Sequence, residues 1–548
     1  AFGTFDYGKA RYRFNWDSPI AFAPWDPHTV WYGGDVVFQS RDEGHHWTPI
    51  SPDLTLNDKS HEVIPGGNIS KDVSGAEYYD TILDIEGSTV ARGEIWVGTD
   101  DGLVQLTRDG GAHWSNVSPR NVASLGRVET VAPSTFAAGT AFAIVDRHFS
   151  GDTAPYVFST MDFGKTWKSI ASDLPQDQFV RTVRQDPVDP NILYAGTELG
   201  IWISFNGGSH WQSLQLNLPP VSVQDIRFQT RDGAMVIGTH GRSAWALDDL
   251  RPLQQHDAAV RAGEYVFAPR PTITFQRGGS VEGLYTEYGA ANPPGGAAIY
   301  FYQAKPAKAS PVVDILDARG KVIRHVAGSH PVGDTDKTEP DVTNFAGYNS
   351  YVWNLQEDPP PAWTTAPSKD ERRETTGVSV VPGNYSVRIR FANRTISQAL
   401  VVKPDARLSW TQADYQKRHD FTASIYAMYG AVNVALERLD ETEKRLDAMI
   451  AAQSKSGAPA ADVAKNQAIA DAGKALESQL SAGFKNDEDS INRPGALRED
   501  VQGLLFGVFG SQGPPITTHY ALLANVRKHY VTLLDAYRVW SASAGAVH

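Results

Sequence analysis

Thr107-Arg108-Asp109-Gly110-Gly111-Ala112-His113-Trp114 is one of four copies of a short pattern, Ser/Thr-x-Asp-x-Gly-x-x-Trp. Two further copies are Ser40-Arg41-Asp42-Glu43-Gly44-His45-His46-Trp47 and Thr160-Met161-Asp162-Phe163-Gly164-Lys165-Thr166-Trp167. The fourth, Ser204-Phe205-Asn206-Gly207-Gly208-Ser209-His210-Trp211, carries Asn206 in place of the acid. Apolar runs precede each copy, as in Glu94-Ile95-Trp96-Val97-Gly98 and Leu103-Val104-Gln105-Leu106, and a shorter run follows. Asp or Asn with Gly in a short loop makes a tight hairpin, its side-chain oxygen taking up backbone N–H groups while Trp packs beneath. Each copy therefore joins the two outer strands of a four-stranded unit. Repeats of about four strands and roughly 40–60 residues read as propeller blades.

The pattern resembles the BNR, or Asp-box, repeat of sialidases, sortilin-type receptors and the two-propeller xyloglucan-cleaving glycosidases. Asp186-Pro187-Val188-Asp189-Pro190-Asn191-Ile192-Leu193-Tyr194-Ala195-Gly196-Thr197 is similar to an inner-blade segment of the last group. The run from Gly238-Thr239-His240-Gly241-Arg242 to Asp248-Asp249 resembles the last blade of large bacterial proteins of glycosyl-hydrolase-like type. In that group a β-sandwich and a helical tail follow the propeller, and the resemblance implies a secreted or periplasmic protein. It speaks to fold more than to activity. In the two-propeller glycosidases each propeller contributes one Asp across a cleft. Here the comparable stretch runs from Asp17-Ser18-Pro19 to Asp26-Pro27, with Pro19 where that Asp would stand and Asp17 two residues early. Sortilin-type receptors carry a Cys-rich module after the propeller, and this chain has no Cys.

Composition along the chain gives the same order. Residues 1–250 read as propeller blades, 262–404 as an immunoglobulin- or fibronectin-like β-sandwich, and 410–548 as a helical bundle. Thr411-Gln412-Ala413-Asp414 has the form of a capped helix start. Four units with a box and one without, from about Val221 to Leu250, make five blades. Propellers of this kind usually close with seven or more, and every blade edge needs a neighbour. The expectation is that further N-terminal blades lie on another piece of the same precursor or on another subunit. The chain begins at Ala1, which fits a processed or truncated piece.

Fifty basic against 63 acidic residues leave a net charge of −13, which argues against nucleic acid or anionic lipid as partners. No apolar run is long enough to span a membrane. Without Cys there is no disulfide scaffold, thiolate metal site or Cys nucleophile.

The repeat register singles out a candidate site. Gly33, Gly98, Gly196 and Gly238 end the second strand of their units, and two residues later come Asp35, Asp100, Glu198 and His240. Asp146 takes that place in the third unit. The loops leading into the first strands add Ser18, Asp80, Glu129, Arg181 and Gln224, with Trp16, Asp17, Tyr78 and Tyr79 nearby. Residues at one register position in successive blades form a ring around the propeller mouth. Asp35, Asp100 and Glu198 are the candidate catalytic carboxylates, with Asp146, His240, Glu129, Arg181, Trp16, Asp17 and Tyr78 as candidate substrate-binding groups. Carboxylates of differing pKa suit acid and base work on a glycosidic bond, with aromatic rings stacking on sugar faces. The same oxygens suit a divalent cation such as calcium, and Asp and Glu are also ordinary hairpin residues on a solvated rim. No other cofactor is evident. Asp42, Asp109, Asp162 and Asn206 are assigned to hairpin structure, at the blade periphery. Two functions follow: a glycan-active hydrolase, or a non-catalytic propeller that binds a protein or glycan while the sandwich and bundle serve assembly.

Overall fold

The computed structural model describes residues 11–63, 78–120, 125–275, 295–327, 342–367, 376–482, 495–510 and 513–545. The chain divides into two compact units, Ala1–Asp257 and Ala258–His548.

Five small antiparallel sheets follow one another in the first unit. Blade 1 holds β1 (Ile20–Ala23), β2 (Asp26–Gly33), β3 (Val37–Ser40) and β4 (Thr48–Pro49). Blade 2 holds β5 (Ile82–Gly87), β6 (Ile95–Thr99), β7 (Val104–Thr107) and β8 (Ser115–Asn116). Blade 3 holds β9 (Arg127–Pro133), β10 (Ala141–Asp146), β11 (Val157–Thr160) and β12 (Lys168–Ser169). Blade 4 holds β13 (Val180–Gln185), β14 (Leu193–Thr197), β15 (Gly200–Ser204) and β16 (Gln212–Ser213). Blade 5 has three strands, β17 (Ser222–Gln229), β18 (Ala234–His240) and β19 (Ala244–Leu247). Each sheet is a meander, and the first strand of one packs on that of the next: β5 on β9, β9 on β13, β13 on β17. This is blade-on-blade stacking of the propeller type. It explains why β6, β10 and β14 are apolar on both faces: every residue in them is buried between neighbouring blades. In β18 the burial alternates instead.

The boxes are hairpins between third and fourth strands, built alike. The Ser or Thr hydroxyl accepts the amide of the fifth box residue, at 2.9 Å in Ser40–Gly44 and 3.0 Å in Thr107–Gly111. Asp42, Asp109, Asp162 and Asn206 each accept the amide of the seventh, at 2.8–2.9 Å. The fifth residue is Gly for a steric reason. At Gly111 and Gly208, φ is positive and a Cβ would come within 2.7 Å of Ile50 or Ile170 in the preceding blade. The box Trp then crosses the same gap. Trp114, Trp167 and Trp211 donate their indole N–H to the carbonyls of Ile50, Val117 and Ile170.

Asp109→Ala is expected to cost about 0.5–2 kcal/mol, the range for a lost capping side chain, and to leave ligand binding intact. Thermal melts beside a binding assay check this; lost binding at an unchanged melting temperature contradicts it.

The short helices α1 (Arg251–Gln254) and α2 (His256–Ala262) lead into the second unit. One sheet there has the order β20-β22-β25, from β20 (Glu264–Val266), β22 (Ala297–Gln303) and β25 (Gly347–Trp353). The other runs β21-β27-β26-β23-β24, from β21 (Thr272–Ile273), β23 (Val312–Leu316), β24 (Val322–Val326), β26 (Gly383–Arg390) and β27 (Thr395–Lys403). Ile299, Phe301 and Trp353 of the first meet Ile315, Val387 and Leu400 of the second in one apolar core. The C-terminal region is helical: α3 (Gln412–Ser456), α4 (Ala460–Leu480), α5 (Leu497–Gly510) and α6 (Thr517–Gly545). Thr411 and Asp414 form a reciprocal capping box at the start of α3, and Gly457 ends it in the left-handed conformation. Leu436, Leu439, Leu476, Val501 and Trp540 are in the core the four helices share.

Candidate functional site

The strand ladders fix which residues are equivalent. Gly98, Gly196 and Gly238 stand opposite Asp84, Thr182 and Asp225, so Asp100, Glu198 and His240 share one position after the second strand. By the same ladders Arg181 and Gln224 correspond to Leu83. Asp80 lies three residues earlier, in a left-handed conformation with φ 62°.

Arg181 joins two of these connections. Its guanidinium lies 3.4 Å from Asp146 and 3.5 Å from Glu198. Ser222 donates to Glu198 at 2.9 Å and accepts from Gln224 at 2.7 Å, which ties in blade 5. Asp146 is fully buried, and it also accepts the His148 amide and meets the His148 ring at 2.6 Å. That ring stacks on Phe179 at 4.4 Å, and the Arg181 guanidinium also lies over the Phe179 ring. On the blade 1 side, Arg127 donates to Glu129 at 2.8 Å and lies 3.8 Å from Asp17. Phe149, 72% exposed, is beneath the Arg127 guanidinium. Burial pushes the Glu129 carboxyl up; Arg127 and Arg181 oppose the shift and Asp146 adds to it. One cluster of contacts thus gathers Asp17, Glu129, Asp146, Arg181 and Glu198, from the sequence set, with Arg127, His148, Phe149, Phe179 and Ser222. Trp16, next to Asp17, is 67% exposed.

The remaining candidates make contacts of their own, Asp100 within reach of the Arg127 charge and His240 across the ladder from Ser222. Asp100 is buried and accepts the Thr81 amide and hydroxyl, both at 2.7 Å; burial pushes its carboxyl to about 6. It caps the start of β5. Asp35 is buried against Arg13 at 3.4 Å. Arg13 also holds Asp53 at 2.7 Å and Glu62 at 3.5 Å. His240 is exposed at the end of β18, opposite Ser222. The Tyr78 carbonyl accepts from Asn15, and burial raises its phenol. Asp42, Asp109, Asp162 and Asn206 remain in their hairpins, away from the first strands. Among the described residues no group of three or more His, Asp or Glu is placed to hold a metal ion.

Sequence reasoning passed over a second charged layer on the first strands. Arg184 lies 3.5 Å from Glu86 and 3.3 Å from Asp225, while Arg227 meets the same two acids at 3.3 and 2.7 Å. Asp84 accepts the Val131 amide, and burial followed by Glu86 pushes it to about 7. Asp80 reaches about 7 through burial and the neighbouring Asp101.

These shifts set a pH dependence. Asp80, Asp84 and Asp100 hold their protons in the folded state to pH 6–7, whereas the unfolded chain releases them near 3.9. Their contribution is full below about pH 4 and is lost as pH rises through 6–7. Asp42 and Asp109, held near 2 chiefly by His46 and His113, work in the opposite sense below pH 4, but on the exposed surface. The melting temperature is expected to fall between pH 5 and pH 8, and Asp84→Asn should flatten that limb. Melts showing the same slope in both proteins contradict it.

No family model and no curated protein matches the chain. Among solved structures it is similar to the GH74 xyloglucanase from Xanthomonas campestris, at 14% identity and a TM-score of 0.33, over 69% of this chain and 50% of that one. An ancestral GH74 enzyme gives 12% identity and a TM-score of 0.32, over 71% and 46%. YCF48 from Cyanidioschyzon merolae gives 15% and 0.26, over 43% and 82%. The chain spans about half the length of the two GH74 enzymes. The blades themselves define a β-propeller-type protein with a C-terminal helical region. Among the described residues no helix is long and apolar enough to cross a membrane.

Proposed function

We propose that this chain is a glycosidase-like propeller protein, secreted or periplasmic, that binds a glycan at the mouth formed by blades 1, 3, 4 and 5. The observation that carries this reading is exposed Phe149 beneath Arg127, with the Asp17–Arg127–Glu129 and Asp146–Arg181–Glu198 ion pairs around it and exposed Trp16 next to Asp17 in the chain. Aromatic faces stack on the apolar faces of sugar rings, and fixed carboxylates and guanidinium groups hydrogen-bond their hydroxyls. Glu129, whose carboxyl burial pushes up, is suited to the proton-donor role, and Glu198, fixed by Arg181 and Ser222, to the second carboxylate's place. That division is the one glycoside hydrolysis uses. Asp35 and Asp100, bound up in buried contacts, support structure in this reading. The two-sheet layer of the second unit is read as an immunoglobulin-like sandwich, and the helices as an assembly element.

Titration of the protein with cellohexaose and a xyloglucan oligosaccharide, followed by calorimetry, is the test. Phe149→Ala is expected to weaken binding about tenfold, the equivalent of about 1.4 kcal/mol of stacking. Glu129→Gln and Glu198→Gln should bind as the parent does while abolishing any release of reducing ends. Absence of binding by every glycan tried, or binding indifferent to Phe149, overturns the reading.

A further inference from the structure

The interblade contact made by the box Trp recurs three times and leaves a fourth seat. Ile50, Val117 and Ile170 each donate their amide back to the third strand of their own blade, to Val37, Val104 and Val157. Each then offers its carbonyl to the Trp of the next blade. Leu214 of blade 4 holds the same position, donating to Ile201. Its next blade has no box. The ladder of β18 with β19 places Leu247 at the Ser/Thr position, Arg251 at the crowded Gly and Gln254 at the Trp. Arg251-Pro252 instead begins α1. Among the described residues the sheet therefore ends at β19, and a solvent-open cleft lies beside it. Leu214, Leu218, Met235, Ile237 and Trp245 are in its wall, and Leu216 at its rim is 71% exposed.

We propose that this cleft receives an extended strand of a second polypeptide carrying a Trp followed by two polar residues and an aliphatic one. The strand completes blade 5. It pairs with Trp245 and Ala246, which correspond to Trp202 and Ile203, the residues that pair with Ser213 and Gln212 in blade 4. Its indole enters beside Leu214 and donates to the Leu214 carbonyl, continuing the interface of the three preceding blades. The occupant's chemistry comes from the repeats: Trp211-Gln212-Ser213-Leu214 fills the equivalent place in blade 4. Strand addition supplies backbone hydrogen bonds, and the aromatic pocket supplies selectivity. This inference is independent of the mouth.

The probe is a fluorescein-labelled peptide of the sequence Gly208-Ser209-His210-Trp211-Gln212-Ser213-Leu214-Gln215, titrated with the whole chain by anisotropy. Saturable binding is expected below ~1 mM, the affinity of a small interface. Replacing the peptide's Trp with Ala, or Leu216→Asp in the protein, should weaken it at least tenfold. Leu216 has φ 45°, a conformation Asp tolerates well, so that variant keeps its fold. No saturation up to ~1 mM, or equal binding of a scrambled peptide, overturns the proposal. So does a chain that dimerises in sedimentation, turns monomeric with Leu216→Asp and ignores the peptide, because a second copy is then the occupant.

Discussion

Arg13→Met is expected to destabilise the first unit by about 3–5 kcal/mol at neutral pH, the cost of stripping a buried ion pair of one partner. Arg13 is buried, and its side chain reaches Asp35, Asp53 and Glu62 while donating to the Asp80 carbonyl at 3.0 Å. It is the cation those three acids share, and the Asp80–Asp101 pair lies beside it. Removing it strands Asp35, strips Asp53 of its guanidinium partner and leaves Glu62 with Lys59 alone, and buried carboxylates are expensive to keep ionised out of water. They respond by taking up protons, so the loss should shrink when unfolding is measured at pH 5 instead of pH 8. Arg13→Lys should recover part of the loss, since an ammonium carries the charge but cannot span several acceptors in one plane. Urea unfolding at the two pH values decides it. A loss below ~1 kcal/mol, equal at both, would show that the cluster is not held by this charge.

Arg13 also shows where sequence reading stops. Arg11-Tyr12-Arg13-Phe14 offers no local pattern that assigns it a role, because its partners Asp35, Asp53, Glu62 and Asp80 lie far downstream, in the loops after β2 and β4. The blades were legible for the opposite reason. Each box is a closed set of local hydrogen bonds, from Ser40 to Gly44 and from Asp42 to His46, so the pattern states its own geometry. The register also put Glu198, Asp146 and Arg181 within reach of one another, since equivalent positions in stacked blades share a face. It could not separate Glu198 from Asp100. Both sit two residues after the second-strand Gly, but Thr81 offers Asp100 an amide and a hydroxyl, while Ser222 and Arg181 hold Glu198 at the partly open mouth. Arg127 and Phe149 escaped notice because their value lies in a contact with each other across a connection of irregular length.

The repeated Trp gives a second large effect and an internal control. Trp211 is 3% exposed and donates to the Ile170 carbonyl at 2.6 Å, whereas Trp47, the same box position in blade 1, is 40% exposed. Truncating a buried Trp removes its transfer free energy and leaves a cavity, so Trp211→Ala is expected to cost about 3–5 kcal/mol. It also leaves the Ile170 carbonyl without its indole partner, a further reason to place the loss at the upper end. Trp47 keeps contact with Tyr32 at 5.9 Å between ring centroids, but much of its ring remains in water. Trp47→Ala should cost no more than about 1 kcal/mol. Trp211→Phe isolates the hydrogen bond and should cost about 1 kcal/mol plus its smaller packing loss. The comparison is sharp because the two residues share a motif, a hairpin and a strand position, and differ in whether another blade lies against them. Denaturant unfolding of the two Ala variants, followed by tryptophan fluorescence, checks it. Equal losses at both sites would mean that the box Trp works within its own hairpin and that the blade-to-blade contact contributes little.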